Sequence, residues 1–111
     1  MEIRRGDVWW VSFDPSVGGE IKKTRPAVII SNNVANAVLN RLVVVPLSSR
    51  TRKVYPAEAL VTLNGASRKA MADQITTASK QRLRGPLGAL SPADMKAVED
   101  ALLLHLAIRR A

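Results

Sequence analysis

The stretch RGDVWWVSFDPSVGGEIKKTRPAVIIS, residues 5–31, holds two apolar runs separated by one polar loop. Val8, Trp9, Trp10, Val11 and Phe13 form the first run, and Ala27, Val28, Ile29 and Ile30 the second. Both are dense in β-branched and aromatic residues, the composition of strands. Asp14-Pro15 opens the loop, Gly18-Gly19 turns it, and Glu20, Lys22, Lys23, Thr24 and Arg25 fill its return. Pro26 fixes its own φ and pushes Arg25 toward an extended conformation. Arg25 is therefore expected at the mouth of a buried strand, on a stiff backbone that can hold one charged group still. Strand alternation sends one of Trp9 and Trp10 to the core and the other to the opposite side. An outward tryptophan is either a stacking or interface surface, or packs beneath the loop or a helix. The usual burial of tryptophan favours the second.

Gly6-Asp7 marks a turn before the first strand, with Asp7 serving that turn. After the second strand, Asn32 or Asn33 can cap one or two helical turns over residues 33–40. Residues 42–47, LVVVPL, predict a third strand, in which Pro46 cannot donate to a ladder and marks an edge, a bulge or the strand end. Residues 48–56, SSRTRKVYP, form a polar basic loop. Residues 58–63 alternate loosely as a strand, and Asn64-Gly65 is a hairpin turn. One or two short strands are expected around Met71 and Ile75, and a helical turn over residues 79–83. Gly85-Pro86 and Gly88 read as chain breakers. Ser91-Pro92-Ala93-Asp94 starts a helix: Ser91 caps it, Pro92 takes the first position, and Asp94 suits the dipole. Met95, Val98, Leu102 and Leu106 recur at helical spacing, widened by Ala101, Leu103 and Leu104. That face is expected to cover an open side of a barrel or a dimer surface. His105, beside it, is expected to pack at the helix edge. Short strands with tight turns and one long terminal helix predict a mainly β fold, a small antiparallel barrel or roll with the helix packed on it.

The chain has 111 residues and 47% hydrophobic content, which suits one ordered domain spanning residues 1–111 and excludes disorder. Its net charge of +8 favours an anionic partner, whether nucleic acid, acidic protein or membrane surface. There is no cysteine, which excludes disulfides and thiolate metal sites. The single histidine excludes a two-histidine ribonuclease mechanism within one chain. No apolar run reaches membrane-spanning length, and the opening MEIRRGD has no signal core, so a soluble cytoplasmic protein without membrane attachment is expected.

Taken in order, residues 5–31, VVVPLSS at 43–49, MADQITTASKQRL at 71–83 and the helix after SPADM resemble the MazF/PemK/Kid toxins of bacterial type II toxin–antitoxin systems. The resemblance spans nearly the whole chain. It implies an SH3-like (CcdB/PemK-like) β-barrel homodimer with a short helix or two and a C-terminal α-helix. It also implies an mRNA interferase, an endoribonuclease needing neither metal nor other cofactor, that cuts single-stranded RNA at short sequences. A cognate MazE-like acidic antitoxin would neutralise it and release growth from inhibition. By position, Arg25 matches the family's catalytic arginine, Ser48 a position where many members have a catalytic threonine, and Glu20 a loop glutamate proposed to act in some members. Asp73 and Gln74 match a D-Q pair that lies near the RNA.

Metal-free RNA cleavage uses the substrate's own 2′-OH, so the enzyme must position that hydroxyl and stabilise charge on the phosphorane. A fixed guanidinium suits the second task, with two parallel hydrogen bonds to phosphate oxygens. Ser48 can donate one more. Arg25 is too basic to deprotonate, which leaves Glu20 as the better-matched base if the loop buries it over the 2′-OH. Lys22, Lys23, Thr24, Ser49, Arg50, Arg52 and Lys53 are expected to contact RNA, the cations meeting phosphates, with Tyr55 stacking on a base. The residues alone leave other roles open: Arg25 as a strand-end ion-pair partner of Glu20 or Asp73, and residues 48–56 as a solvated loop. Two further functions stand beside the ribonuclease: a gyrase-binding toxin of CcdB type on the same fold, and a basic nucleic-acid-binding barrel without catalysis.

Overall fold

The computed structural model describes residues 2–15, 17–20 and 23–109. Strands β1 (Asp7–Ser12) and β2 (Thr24–Ile29) flank the polar loop and pair antiparallel, with Val8 opposite Val28 and Val11 opposite Arg25. A short helix, α1 (Asn33–Val38), follows, capped by Asn32, whose Oδ1 accepts from Ala35 N at 2.8 Å. Strand β3 (Arg41–Ser48) then returns along β2. Strands β4 (Glu58–Leu63) and β5 (Ala66–Met71) form a hairpin on Asn64-Gly65, where both residues take positive φ, 49° and 81°, as a two-residue hairpin turn requires. A 3₁₀ turn (Ala72–Gln74) leads into β6 (Thr76–Ser79), a second 3₁₀ turn (Lys80–Arg82) into β7 (Leu83–Ala89), and the chain closes with α2 (Pro92–His105). The sheet order is β4-β5-β3-β2-β1-β7, with β6 also on β3. The two ends of this path approach one another, because Asn64 Nδ2, beside β4, donates to Leu87 O of β7 at 2.8 Å. A side chain thus helps to curl the sheet into a half-barrel.

Both faces of the sheet are buried. On one, Val8, Val28, Val45 and Leu47 pack with β4, β5 and α2 residues. On the other, Trp9, Val11, Phe13, Ala27, Ile29, Leu42, Val44 and Ala78 form a second cluster. Two buried faces give near-continuous apolar strands, which is why alternation in β1 and β3 is poor. Trp9 is the inward tryptophan, and Trp10 is 39% exposed on the opposite face. Asp7 serves its turn as expected, accepting from Arg4 N at 2.9 Å.

Three local expectations change. Pro46 is neither at an edge nor at a strand end; it lies within β3, buried, opposite Ala27. Ile30 N donates to Val43 O, so the hydrogen-bonded pairs with β2 fall at Val43 and Val45. The Pro46 nitrogen therefore faces the other side, where the partner changes from β6, ending at Val44–Thr76, to β5, beginning at Leu47–Ala70. Gly85, Pro86 and Gly88 do not break the chain. They belong to β7, an edge strand whose register on β1 slips between Val8 and Trp9 and again between Trp10 and Val11. Bulged edges tolerate glycine and proline. In α2, Met95, Val98, Ala101 and Leu102 are buried, while Leu104, Leu106 and His105 are exposed. Ser91 caps this helix, accepting from Asp94 N at 3.1 Å. Asp94 Oδ2 accepts from Thr62 N at 2.8 Å and so docks the helix on β4. Among the described residues no helix is long and apolar enough to cross a membrane.

Candidate active site

Side chains at alternate positions of a strand share a face. Arg25, Ala27 and Ile29 of β2 therefore lie in one row, and Val44, Pro46 and Ser48 of β3 in another. The rows are paired as Ile29–Val44 and Ala27–Pro46. The same register continued by two residues sets Arg25 across from Ser48, where the apolar rows end and the strands run out. Arg25 is half-buried. Ser48 is 7% exposed, and its Oγ accepts from Arg50 N at 3.1 Å, fixing the exit of β3 into the basic loop.

The β1–β2 loop is tied at its neck and near its tip. At the neck, Phe13 N donates to Lys23 O at 2.9 Å and Lys23 N to Asp14 Oδ1 at 2.9 Å. Arg82, from the 3₁₀ turn before β7, donates from Nη1 to Ser12 O at 2.9 Å and Asp14 O at 2.6 Å. Nearer the tip, Gln74 Nε2 donates to Gly19 O at 3.3 Å. The two 3₁₀ turns that flank β6 thus hold the loop across the sheet. Beneath it lies a cleft of about 170 Å³ lined by Phe13, Pro15, Glu20, Gln74, Thr76, Thr77, Ala78 and Arg82. Glu20 is exposed at its rim, and its Oε1 accepts from Val17 N at 2.6 Å. The loop thus does not bury Glu20 in the protein alone, contrary to the expectation for a base closed over the 2′-OH.

The loop after β3 folds back on the β4–β5 hairpin. Lys69 of β5 stands opposite Ser48 in register. Its ammonium lies 3.2 Å from Glu58 Oε1, 3.0 Å from Lys53 O and 5.9 Å from the Tyr55 ring centroid. Lys53 Nζ is 5.3 Å from the same centroid. Tyr55 N donates to Glu58 Oε1 at 2.9 Å, and the residue remains 53% exposed. The ring is a surface flanked by two cations.

Of the residues singled out in the sequence, Glu20 and Gln74 are brought together by the cleft and Lys53 and Tyr55 by Lys69, while Arg25 and Ser48 lie two residues beyond the last β2–β3 pair, Ala27–Pro46. Lys23, Thr24, Ser49, Arg50, Arg52 and Asp73 are exposed around these groups, Asp73 on the 3₁₀ turn next to Gln74. Lys22 lies outside the described residues. Sequence reasoning passed over Lys69, Thr76, Thr77 and Arg82. Their neighbours are distant in the chain, and a helical turn expected over residues 79–83 gave no signal of where Arg82 would point.

A sequence model of the family described as PemK-like, MazF-like toxin of type II toxin-antitoxin system matches residues 4–106. Endoribonuclease MazF9 of Mycobacterium tuberculosis is 40% identical over 113 residues, covering 94% of this chain and 96% of that protein. A mycobacterial endoribonuclease solved in complex with its cognate antitoxin aligns with a TM-score of 0.82 at 26% identity, covering 98% of this chain and 99% of that one. Deinococcus radiodurans MazF aligns with a TM-score of 0.85 at 24% identity over 97% and 99% of the two chains, a likeness of fold.

Proposed function

Since this chain belongs to the PemK-like, MazF-like toxins of type II toxin–antitoxin systems, we propose that it is an endoribonuclease that cuts single-stranded RNA by attack of the 2′-OH. The observation that supports the reading is the β2–β3 register, which pairs Ala27 with Pro46 and, continued two residues further, would align Arg25 with Ser48 at the strand end. Arg25 donates two hydrogen bonds to the non-bridging oxygens of the scissile phosphate, and Ser48 a third. Glu20 takes the proton of the attacking hydroxyl; its Oε1 is held by Val17 N, leaving Oε2 as acceptor. The new bond joins O2′ to phosphorus, the bond from phosphorus to O5′ breaks, O5′ takes a proton from solvent, and the products are a 2′,3′-cyclic phosphate and a 5′-hydroxyl. The exposed cations Lys23, Arg50, Arg52 and Lys53 neutralise flanking phosphates, joined by Lys22, and Tyr55 stacks on a base. Thr24, Ser49, Asp73 and Gln74 contribute polar contacts to the strand.

A short acidic antitoxin neutralises the protein by covering the same basic surface, which a net charge of +8 favours. The protein acts in the cytoplasm as a homodimer and inhibits translation by cutting messenger RNA. The deciding experiment is cleavage of a long single-stranded RNA in EDTA by the wild type and Arg25→Ala. Cutting at a few short sequences, with a loss of about a hundredfold or more in the variant, is the expected result. Products bearing a 5′-phosphate, or equal cutting by both proteins, rule the mechanism out. Binding without any cleavage favours the non-catalytic nucleic-acid-binding barrel.

A further inference from the structure

The segment between Ser48 and β4 carries Arg50, Arg52 and Lys53 close together, and all three are exposed. Like charges this near repel one another and favour a splayed loop. Two ties that sit side by side oppose that. At the start of the segment, Arg50 N donates to Ser48 Oγ at 3.1 Å. A few residues later, Lys53 O accepts from Lys69 Nζ at 3.0 Å. Ser48 and Lys69 stand directly opposite in the β3–β5 pairing, so their side chains share one face of the sheet. Lys69 is fixed in turn by Glu58, whose Oε1 lies 3.2 Å from its ammonium, and the two side chains are only 12% and 9% exposed. The same Oε1 accepts from Tyr55 N at 2.9 Å, and Tyr55 O accepts from Glu58 N at 2.9 Å. The Lys69 ammonium thus holds the loop at Lys53 directly and at Tyr55 through Glu58.

From these contacts we infer that Lys69 is a positioning residue: a covered ammonium that presets the loop after β3, whose cations and ring grip the substrate. The inference rests on the ribonuclease reading in taking single-stranded RNA as that substrate. Lys69 does not meet the RNA itself. Its charge is matched by Glu58, its N–H groups face Glu58 and Lys53 O, and its side chain is largely covered. Its effect passes through Lys53, whose own ammonium stays exposed, and through Tyr55, whose ring lies 5.3 Å from Lys53 Nζ and 5.9 Å from Lys69 Nζ. A loop ordered before binding keeps the entropy of ordering out of the affinity. Loss of Lys69 is therefore expected to raise KM and leave kcat near the wild-type value, since Arg25 and Ser48 stay on β2 and β3.

The test compares the wild type with Lys69→Met, which keeps an unbranched stem in β5 and removes the ammonium. Removing one partner of a covered ion pair strands the charge of the other and destabilises the fold. Lys69→Met is therefore also made together with Glu58→Gln, which cancels that charge and keeps an oxygen for Tyr55 N, and this double variant is read against Glu58→Gln alone. Limited trypsin digestion reports on the loop, because the bond after Lys53 is the one whose carbonyl Lys69 holds. Cutting there is expected to become about tenfold faster without Lys69, with cutting elsewhere in the folded chain unchanged. Affinity for a single-stranded 2′-fluoro RNA, which lacks the nucleophile, is expected to fall about tenfold. The slope of log K against log salt is expected to stay the same, because no phosphate contact is lost. Unchanged cutting after Lys53, or a fall in kcat at constant KM, overturns the inference. A slope shallower by about 0.7 also overturns it, since Lys69 would then meet a phosphate itself. Cleavage of all-ribose RNA by the wild type is scored separately. If none is seen, the ribonuclease reading fails, while digestion and 2′-fluoro RNA binding still decide the role of Lys69. Cleavage with an unchanged KM in the variants sinks that role and leaves the ribonuclease reading standing.

Discussion

Arg25 combines a permanent charge with a backbone that has little freedom. It precedes a proline, pairs with Val11, and ends a row of buried side chains. Lysine at this position would keep the charge and lose the planar fork, so Arg25→Lys is expected to cut RNA far more slowly than the wild type despite an unchanged net charge. Ser48 has a second duty. Its Oγ accepts from Arg50 N, so Ser48→Ala removes a donor to phosphate and leaves that N–H without its partner. Ser48→Thr keeps both. Cleavage assays of the two variants are expected to show a loss of at least about tenfold for alanine and near wild-type rates for threonine. Equal rates for all three proteins would remove Ser48 from the site.

Strand β7 holds the half-barrel against the β4–β5 hairpin through one polar contact. Asn64 Nδ2 donates to Leu87 O, and a Cβ added to Gly88 would lie 3.0 Å from Asn64 Oδ1. Gly88 also has a φ of 153°, a conformation side chains disfavour. Gly88→Ala is expected to destabilise the protein by about 1–3 kcal/mol in urea unfolding. The cost should shrink when Asn64 is already alanine, because the contact part of the penalty is then gone. The same strand shows what element-level reading could not reach. LRGPLGA contains two glycines and a proline, and local propensity marks it as a break. It becomes a strand because β1 lies beside it and two register slips absorb the residues that do not fit. The terminal helix was legible at its start, since the Ser91 cap and Pro92 act within one turn. Its apolar stripe is only partly covered within the chain: Leu106 follows the spacing and is exposed, because β4 and the 3₁₀ turn before β6 cover only part of that face.

At the scale of the molecule, excess positive charge and the placement of two loops matter more than any one contact. Arg50, Arg52 and Lys53 are exposed on the loop after β3, close in sequence to the buried Ser48. Replacing all three by alanine is expected to weaken binding to single-stranded RNA with little regard to sequence. The plot of log K against log salt should become shallower by about 2, from a slope of roughly 0.7 per neutralised phosphate. Fluorescence titration of 2′-fluoro RNA between low and high salt measures this. An unchanged slope would take these cations off the RNA path.

Sequence alone determined what is local. It set the strands at β1, β2, β3 and β4, the Asn64-Gly65 hairpin, the Ser91 cap, a cap at Asn32 or Asn33, and the stiff Arg25-Pro26 step, because propensity, capping and proline sterics act over a few residues. It also carried the family resemblance, since the order of short motifs is itself a property of the chain. Tertiary structure decided what depends on partners far away. Pairing with two different strands on one side made room for Pro46 inside β3, and β1 made β7 a strand. The β2–β3 register, continued two residues further, would align Arg25 with Ser48, and Arg82 and Gln74, more than 50 residues from the loop they hold, roofed the cleft. Such contacts follow from which strands lie side by side, and that is fixed by burial on both faces of the sheet at once.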